Sequence, residues 1–187
     1  MKEMNWNDVL SEGEELVWTG KSEKVKLLDG STRGMTYLLW GIAAVWLLCS
    51  LVFFIPKSLA AGDNIVHMII MLILIDCIPI LMLTMPFSDC KWLNQFTEYA
   101  VTNRRVLVQG KEKLMSLKLT GSLRTELRKR DGGYGHILLG TAVDKPDARL
   151  RSLAIRGLDV KHVVDGLVLY HISEPERVMK LLSDRIR

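Results

Sequence analysis

The chain has 187 residues, with 25 Lys and Arg against 21 Asp and Glu, a net charge of +4 and a mean hydropathy of +0.17. Its three cysteines, Cys49, Cys77 and Cys90, form no C-x-x-C pair, which argues against a disulfide framework or a zinc site. These averages would suit a soluble protein, but the apolar residues are concentrated between positions 35 and 86.

Residues 1–34 are polar and too few for a core of their own. Glu15-Leu16-Val17-Trp18 reads as a short strand ended by Gly20, and Asp29-Gly30 and Gly34 carry turn signals. The mixed charge and the late, long apolar run do not fit a cleavable signal peptide, so the run is expected to stay in the mature protein.

Two apolar stretches follow, Met35 to Ile55 and Ile65 to Met85. At about 21 residues and ~1.5 Å rise per residue, each spans ~31 Å as a helix, matching a hydrocarbon core of ~30 Å. Lys21, Lys24, Lys26 and Arg33 precede the pair, and Lys91, Arg104 and Arg105 follow it. The connection from Pro56 to Asn64 holds one cation, Lys57. The positive-inside rule then puts both termini in the cytoplasm and the connection outside, a multi-pass arrangement in the inner (plasma) membrane.

Asp76 is the one charged residue within the spans. With these boundaries an antiparallel hairpin sets it level with Ala43 and Ala44, neither of which offers a side-chain hydrogen bond. A protonated carboxyl bonded to a backbone carbonyl, or an interface to another protomer, satisfies it. A proton or ion path is the functional alternative, but two helices and a lone acid make no route.

From Trp92 the pattern changes to short β-rich runs. They are 97–101, 105–109, 113–119, 123–130, 135–141, 149–155 and 167–172, with turns at Thr102-Asn103-Arg104 and Asp131-Gly132-Gly133 and with Asp165-Gly166 opening the last run. The chain closes on an amphipathic helix. Ser173 and Glu176 have capping-box spacing, and Val178, Leu181, Leu182 and Ile186 share one face. The expected class is α+β: a two-helix transmembrane hairpin, then a seven-stranded bent sheet or partly open barrel capped by a C-terminal helix. The expected division is an N-terminal cytoplasmic segment 1–34, a hairpin 35–86 and a cytoplasmic domain 87–187.

Three passages carry a resemblance. Glu14-Glu15-Leu16-Val17-Trp18-Thr19-Gly20 is similar to an "E-x-hydrophobic-W-x-G" segment. Tyr99-Ala100-Val101-Thr102-Asn103-Arg104-Arg105 is similar to a "Y-x-hydrophobic-T-N-x-R" hairpin. Ile172-Ser173-Glu174-Pro175-Glu176-Arg177-Val178 is similar to an "I-x-x-P-x-x-V" helix start. In this order and spacing, over nearly the whole chain, they resemble bacterial membrane proteins with a PH-like domain behind two transmembrane helices. The resemblance implies a PH-like cytoplasmic domain. Gly135-His136-Ile137 departs from the family's usual Gly-Thr-Ile.

No catalytic constellation appears. His67, His136, His162 and His171 sit in no metal-binding motif, and Gly132-Gly133-Tyr134-Gly135 lacks the G-K-[ST] of a phosphate loop. The expectation is therefore a non-enzyme without cofactor or metal, with no nucleic-acid partner. Residues 88–187 hold 19 Lys and Arg against 12 Asp and Glu, a net +7. Arg104, Arg105, Arg128, Lys129 and Arg130 form a candidate patch for an anionic lipid headgroup or a partner. The reading is an integral membrane protein presenting an interaction or scaffold domain, with a protein partner or homo-oligomer. The alternatives are an anionic-lipid sensor and an accessory subunit of a transport or signalling complex.

Overall fold

The computed structural model describes residues 5–30, 32–110, 114–160 and 163–186; Lys113, at the start of the expected run 113–119, and His162 lie outside these. The chain divides into two units. One is residues 27–88, and the other joins the residues up to Lys26 with those from Asp89 onward.

The first unit is helical. Helix α1 (Arg33–Cys49) runs through a π turn (Ser50–Phe54) into α2 (Ile55–Ala60), and α3 (Ile65–Phe96) begins after four residues. The π turn has a local cause. Pro56 has no N–H and its ring crowds the carbonyl four residues back, so regular α-helical bonding cannot continue there. Both helical runs are long and apolar enough to cross a membrane. The expected spans lie inside them, but the helix continues past Pro56, so the turn shrinks to residues 61–64. This shifts the centre of the hairpin and changes which residues face each other.

The second unit holds two antiparallel sheets. One has the order β1 (Leu16–Lys21), β2 (Glu98–Thr102), β3 (Arg105–Gln109), β4 (Leu114–Lys118). The other has the order β5 (Thr125–Lys129), β6 (Tyr134–Gly140), β8 (Val163–Ser173), β7 (Leu158–Val160). Tyr99, Val101, Val106, Val108 and Met115 from the first sheet meet Ile137, Leu139, Leu167, Leu169 and Ile172 from the second. Val178 and Leu182 of helix α5 (Pro175–Ser183) close this core. The alternation of strands does the sorting: Tyr99 and Val101 face the core, while Ala100 and Leu107 lie on the other face under Trp6.

Several expectations are corrected. Residues 149–155 form no strand; they lie in helix α4 (Asp147–Arg156). Only Arg149-Leu150-Arg151 alternates; Leu150 and Leu153 are three apart, and the buried residues are Leu150, Arg151, Ala154 and Ile155, the period of a helix. Pro146 opens α4, and Gly157, at φ +68, ends it. After the hairpin the described residues give seven strands, with β7 among them in place of 149–155, and β1 before the hairpin makes eight. Asp165-Gly166 does not open the last strand but lies within β8, where a Cβ on Gly166 would meet the Ala142 backbone nitrogen at 2.6 Å. The capping box does not form either: Glu174 takes the N-cap in the left-handed region and no side chain caps α5. Ser173 ends β8 instead. The described sheets close into no barrel.

Candidate interaction surface and the residues around it

Two of the quoted passages meet in one place. Glu14 is buried, and its carboxylate accepts from Arg105 Nε and Nη2, both at 2.8 Å, from Thr102 Oγ1 at 2.7 Å and from the Ser11 N–H at 2.9 Å. The Arg105 bonds outweigh the cost of burial and hold the Glu14 carboxyl at about 2, well below its ordinary 4.5. The same bonds push Arg105 up. Thr102 Oγ1 also accepts the N–H groups of Arg104 and Arg105 and so shapes the β2–β3 turn. Asn103 Oδ1 takes the Glu15 N–H at 3.1 Å. Beside this turn, β1 pairs with β2 from Leu16↔Thr102 to Lys21↔Glu98. Gly20 is required because the Trp18 ring lies across it; a Cβ would meet Trp18 Cζ2 at 2.4 Å.

The candidate patch is split. Arg104 and Arg105 sit at the β2–β3 turn of the first sheet, whereas Arg128 and Lys129 end β5 in the second and Arg130 follows it. Carboxylates hold four of the five. Arg105 is bound to Glu14. Arg128 reaches Glu126 at 2.8 Å and Asp147 at 2.6 Å. Arg130 is also bonded to Asp147, and Lys129 lies 2.9 Å from Glu176. Hydrogen bonding to Glu126 raises Arg128 and lowers Glu126 in turn. Burial raises Asp147, but the two guanidiniums outweigh it and leave it low. Arg104 donates to the Glu12 carbonyl at 3.3 Å and has no carboxylate partner among the described residues.

Asp76 finds a partner that the sequence reading did not supply. Ser50 Oγ donates to Asp76 Oδ1 at 2.7 Å. The level expected with Ala43 and Ala44 assumed a hairpin centred near residue 60. With the turn at 61–64 the centre lies between residues 62 and 63, and Asp76 comes level with Cys49, next to Ser50. Trp40 Nε1 donates to the Leu83 carbonyl at 3.3 Å, and its ring stacks on Phe87.

The residues that the sequence reading missed hold the chain where it leaves and rejoins the sheet unit. Asn94 bonds both backbone groups of Val25, accepting its N–H at 2.7 Å and donating to its C=O at 3.0 Å. Cys90 Sγ donates to the same carbonyl. From α4, Arg151 donates to the Lys26 carbonyl and Arg156 to Asp89, each at 2.9 Å. A helical period at 147–156 was the available signal for α4 and so for the placement of Arg151 and Arg156 on it. No family model, no curated protein and no solved structure matches this chain.

Proposed function

We propose that the chain is a two-pass integral membrane protein, non-enzymatic, that presents a PH-like interaction domain to the cytoplasm. One observation carries this reading: β1, before the first apolar helix, pairs with β2, after the second. A folded unit lies on one side of a bilayer, so the helices between its two parts cross an even number of times. The apolar helices bury little of themselves, 11% of the most apolar stretch in one and 6% in the other. The core helix of a soluble protein would be mostly buried, and side chains such as Phe53 and Leu51, 69% and 62% exposed, suit lipid. The basic flanks favour the cytoplasmic side.

An interaction role rests on what the polar residues do. Glu14, Thr102, Asn103 and Arg105 hold the fold together. The outer strands β1 and β4, and β5 and β7, offer edges for strand addition by a partner or a second copy. The lipid-sensing alternative is weakened, since four of the five marked cations already carry carboxylates.

Cysteine labelling in intact cells tests the arrangement, with the native cysteines replaced. An impermeant maleimide should label Ala61→Cys from outside and Thr120→Cys only after permeabilisation. Labelling of Thr120→Cys in intact cells would overturn the cytoplasmic assignment. Cross-linking of the full chain in its membrane then tests association: discrete products support the scaffold role, and a monomer without partners counts against it.

A further inference from the structure

Strands β6 and β8 pair through a bulge in which one residue faces two. Gly135 is level with Ile172 and Ile137 with Leu169, so His136 alone opposes Tyr170 and His171. The bulge takes two backbone N–H groups out of the ladder, and side chains receive both. Tyr170 N–H donates to Tyr99 Oη at 3.1 Å. His171 N–H donates to His136 Nδ1 at 3.0 Å.

The second bond settles the state of the imidazole. A backbone N–H only donates, so Nδ1 carries a lone pair and the ring is neutral with its proton on Nε2. His136 is fully buried, stacked on Tyr170 at 4.1 Å between ring centroids. His171 holds φ at +51, a region that L residues rarely adopt. Its carbonyl accepts the Glu23 N–H at 2.8 Å. The stretch Ser22–Lys26, which leads toward the first apolar helix, is thus tied to the same bulge.

We propose that His136 is an acid-released latch: protonation of Nδ1 breaks the bond from the His171 N–H and loosens the attachment of Ser22–Lys26. The surrounding charges favour release. Arg128 stands opposite His136 in the β5–β6 register and shares its face. Its counter-charges, Glu126 and Asp147, are engaged by Arg128 itself and by Arg130. From β8 come Tyr170 and His171, and from β6 itself Tyr134, which packs on His171. From β2 comes Tyr99, whose hydroxyl burial holds in its neutral form. Helix α4 adds the buried Arg151, and Glu176, Arg177 and Lys180 of α5 are exposed. The N-terminal stretch contributes Glu23, exposed and bonded through its backbone.

The sign follows from the proton count. The folded state holds His136 neutral, while the unfolded chain takes up a proton near ~6.5, so the latch is closed above that range and opens as pH falls. Hydrogen exchange on the full-length protein in lipid nanodiscs, corrected for intrinsic rates, tests this. The His171 and Glu23 amides should lose protection together by about tenfold per pH unit below the His136 titration. His136→Asn keeps an acceptor at the Nδ1 position and removes the titration, so its protection should be flat between pH 7.5 and 5.5. A flat wild type, or the same loss in His136→Asn, overturns the proposal. If that variant fails to fold, 15N shifts of labelled histidine in the wild type decide. Protonation of His136 with protection at His171 intact overturns the latch, and their joint change supports it.

Discussion

The two units use the same apolar residues in opposite directions. In the helical unit Phe53, Leu51 and Val45 point outward, each more than 60% exposed, whereas in the sheet unit Leu139, Leu169 and Tyr99 are fully buried. Their carboxylates differ in the same way. Glu14 accepts four hydrogen bonds, two of them from one guanidinium, and Asp76 has one hydroxyl. In water, the sheet unit would draw its stability from taking side chains out of that solvent. A hydrocarbon solvent would give the helices no such drive, and packing with sparse polar bonds must hold them.

That contrast is sharpest in the core. Leu139→Ala should cost the sheet unit about 3 kcal/mol in denaturant unfolding, while Phe53→Ala leaves that transition unchanged; equal effects would break the distinction. The Glu14–Arg105 pair comes next. Glu14→Gln should cost about 2–3 kcal/mol at neutral pH, because it leaves a mostly buried guanidinium without its counter-charge. The folded carboxyl lies at about 2 against an ordinary 4.5. Its contribution is therefore complete above about pH 4.5 and fades as pH falls toward 2, where wild type and variant should converge. Ser50→Ala should cost the helical unit only about 0.6 kcal/mol in a bilayer unfolding assay. Asp76→Asn, which keeps an acceptor for Ser50, should leave insertion and assembly intact; loss of an oligomer band in native gels would favour an interface at Asp76. Smallest of all, Lys129→Glu should leave unfolding unchanged, since its partner is as exposed as it is.

The apolar helices were readable because their signal is long and uninterrupted. The hairpin at Thr102-Asn103-Arg104 and the strands beside it were readable because turn residues and β-branched runs mark them locally. The role of Glu14 was not, since its partners lie 88 and 91 residues away in sequence. Residues 149–155 were misread because the alternation of Arg149-Leu150-Arg151 outweighed the helical spacing of Leu150, Leu153 and Ala154 that follows it. Ser50 was missed because the helix runs on through Pro56, and a proline ordinarily advises against that.

The pairing of β1 with β2 has a practical side. A chain beginning at residue 88 would lack the strand beside β2 and the counter-charge of Arg105. Residues 25 and 94 are already hydrogen bonded, so the points of departure and return lie side by side. Deleting 27–88 and bridging Lys26 to Asp89 with a short glycine-serine linker keeps every strand with its neighbours. The result would be a water-soluble, permuted-looking module that folds without a bilayer, in which the latch and the edges can be studied by solution methods.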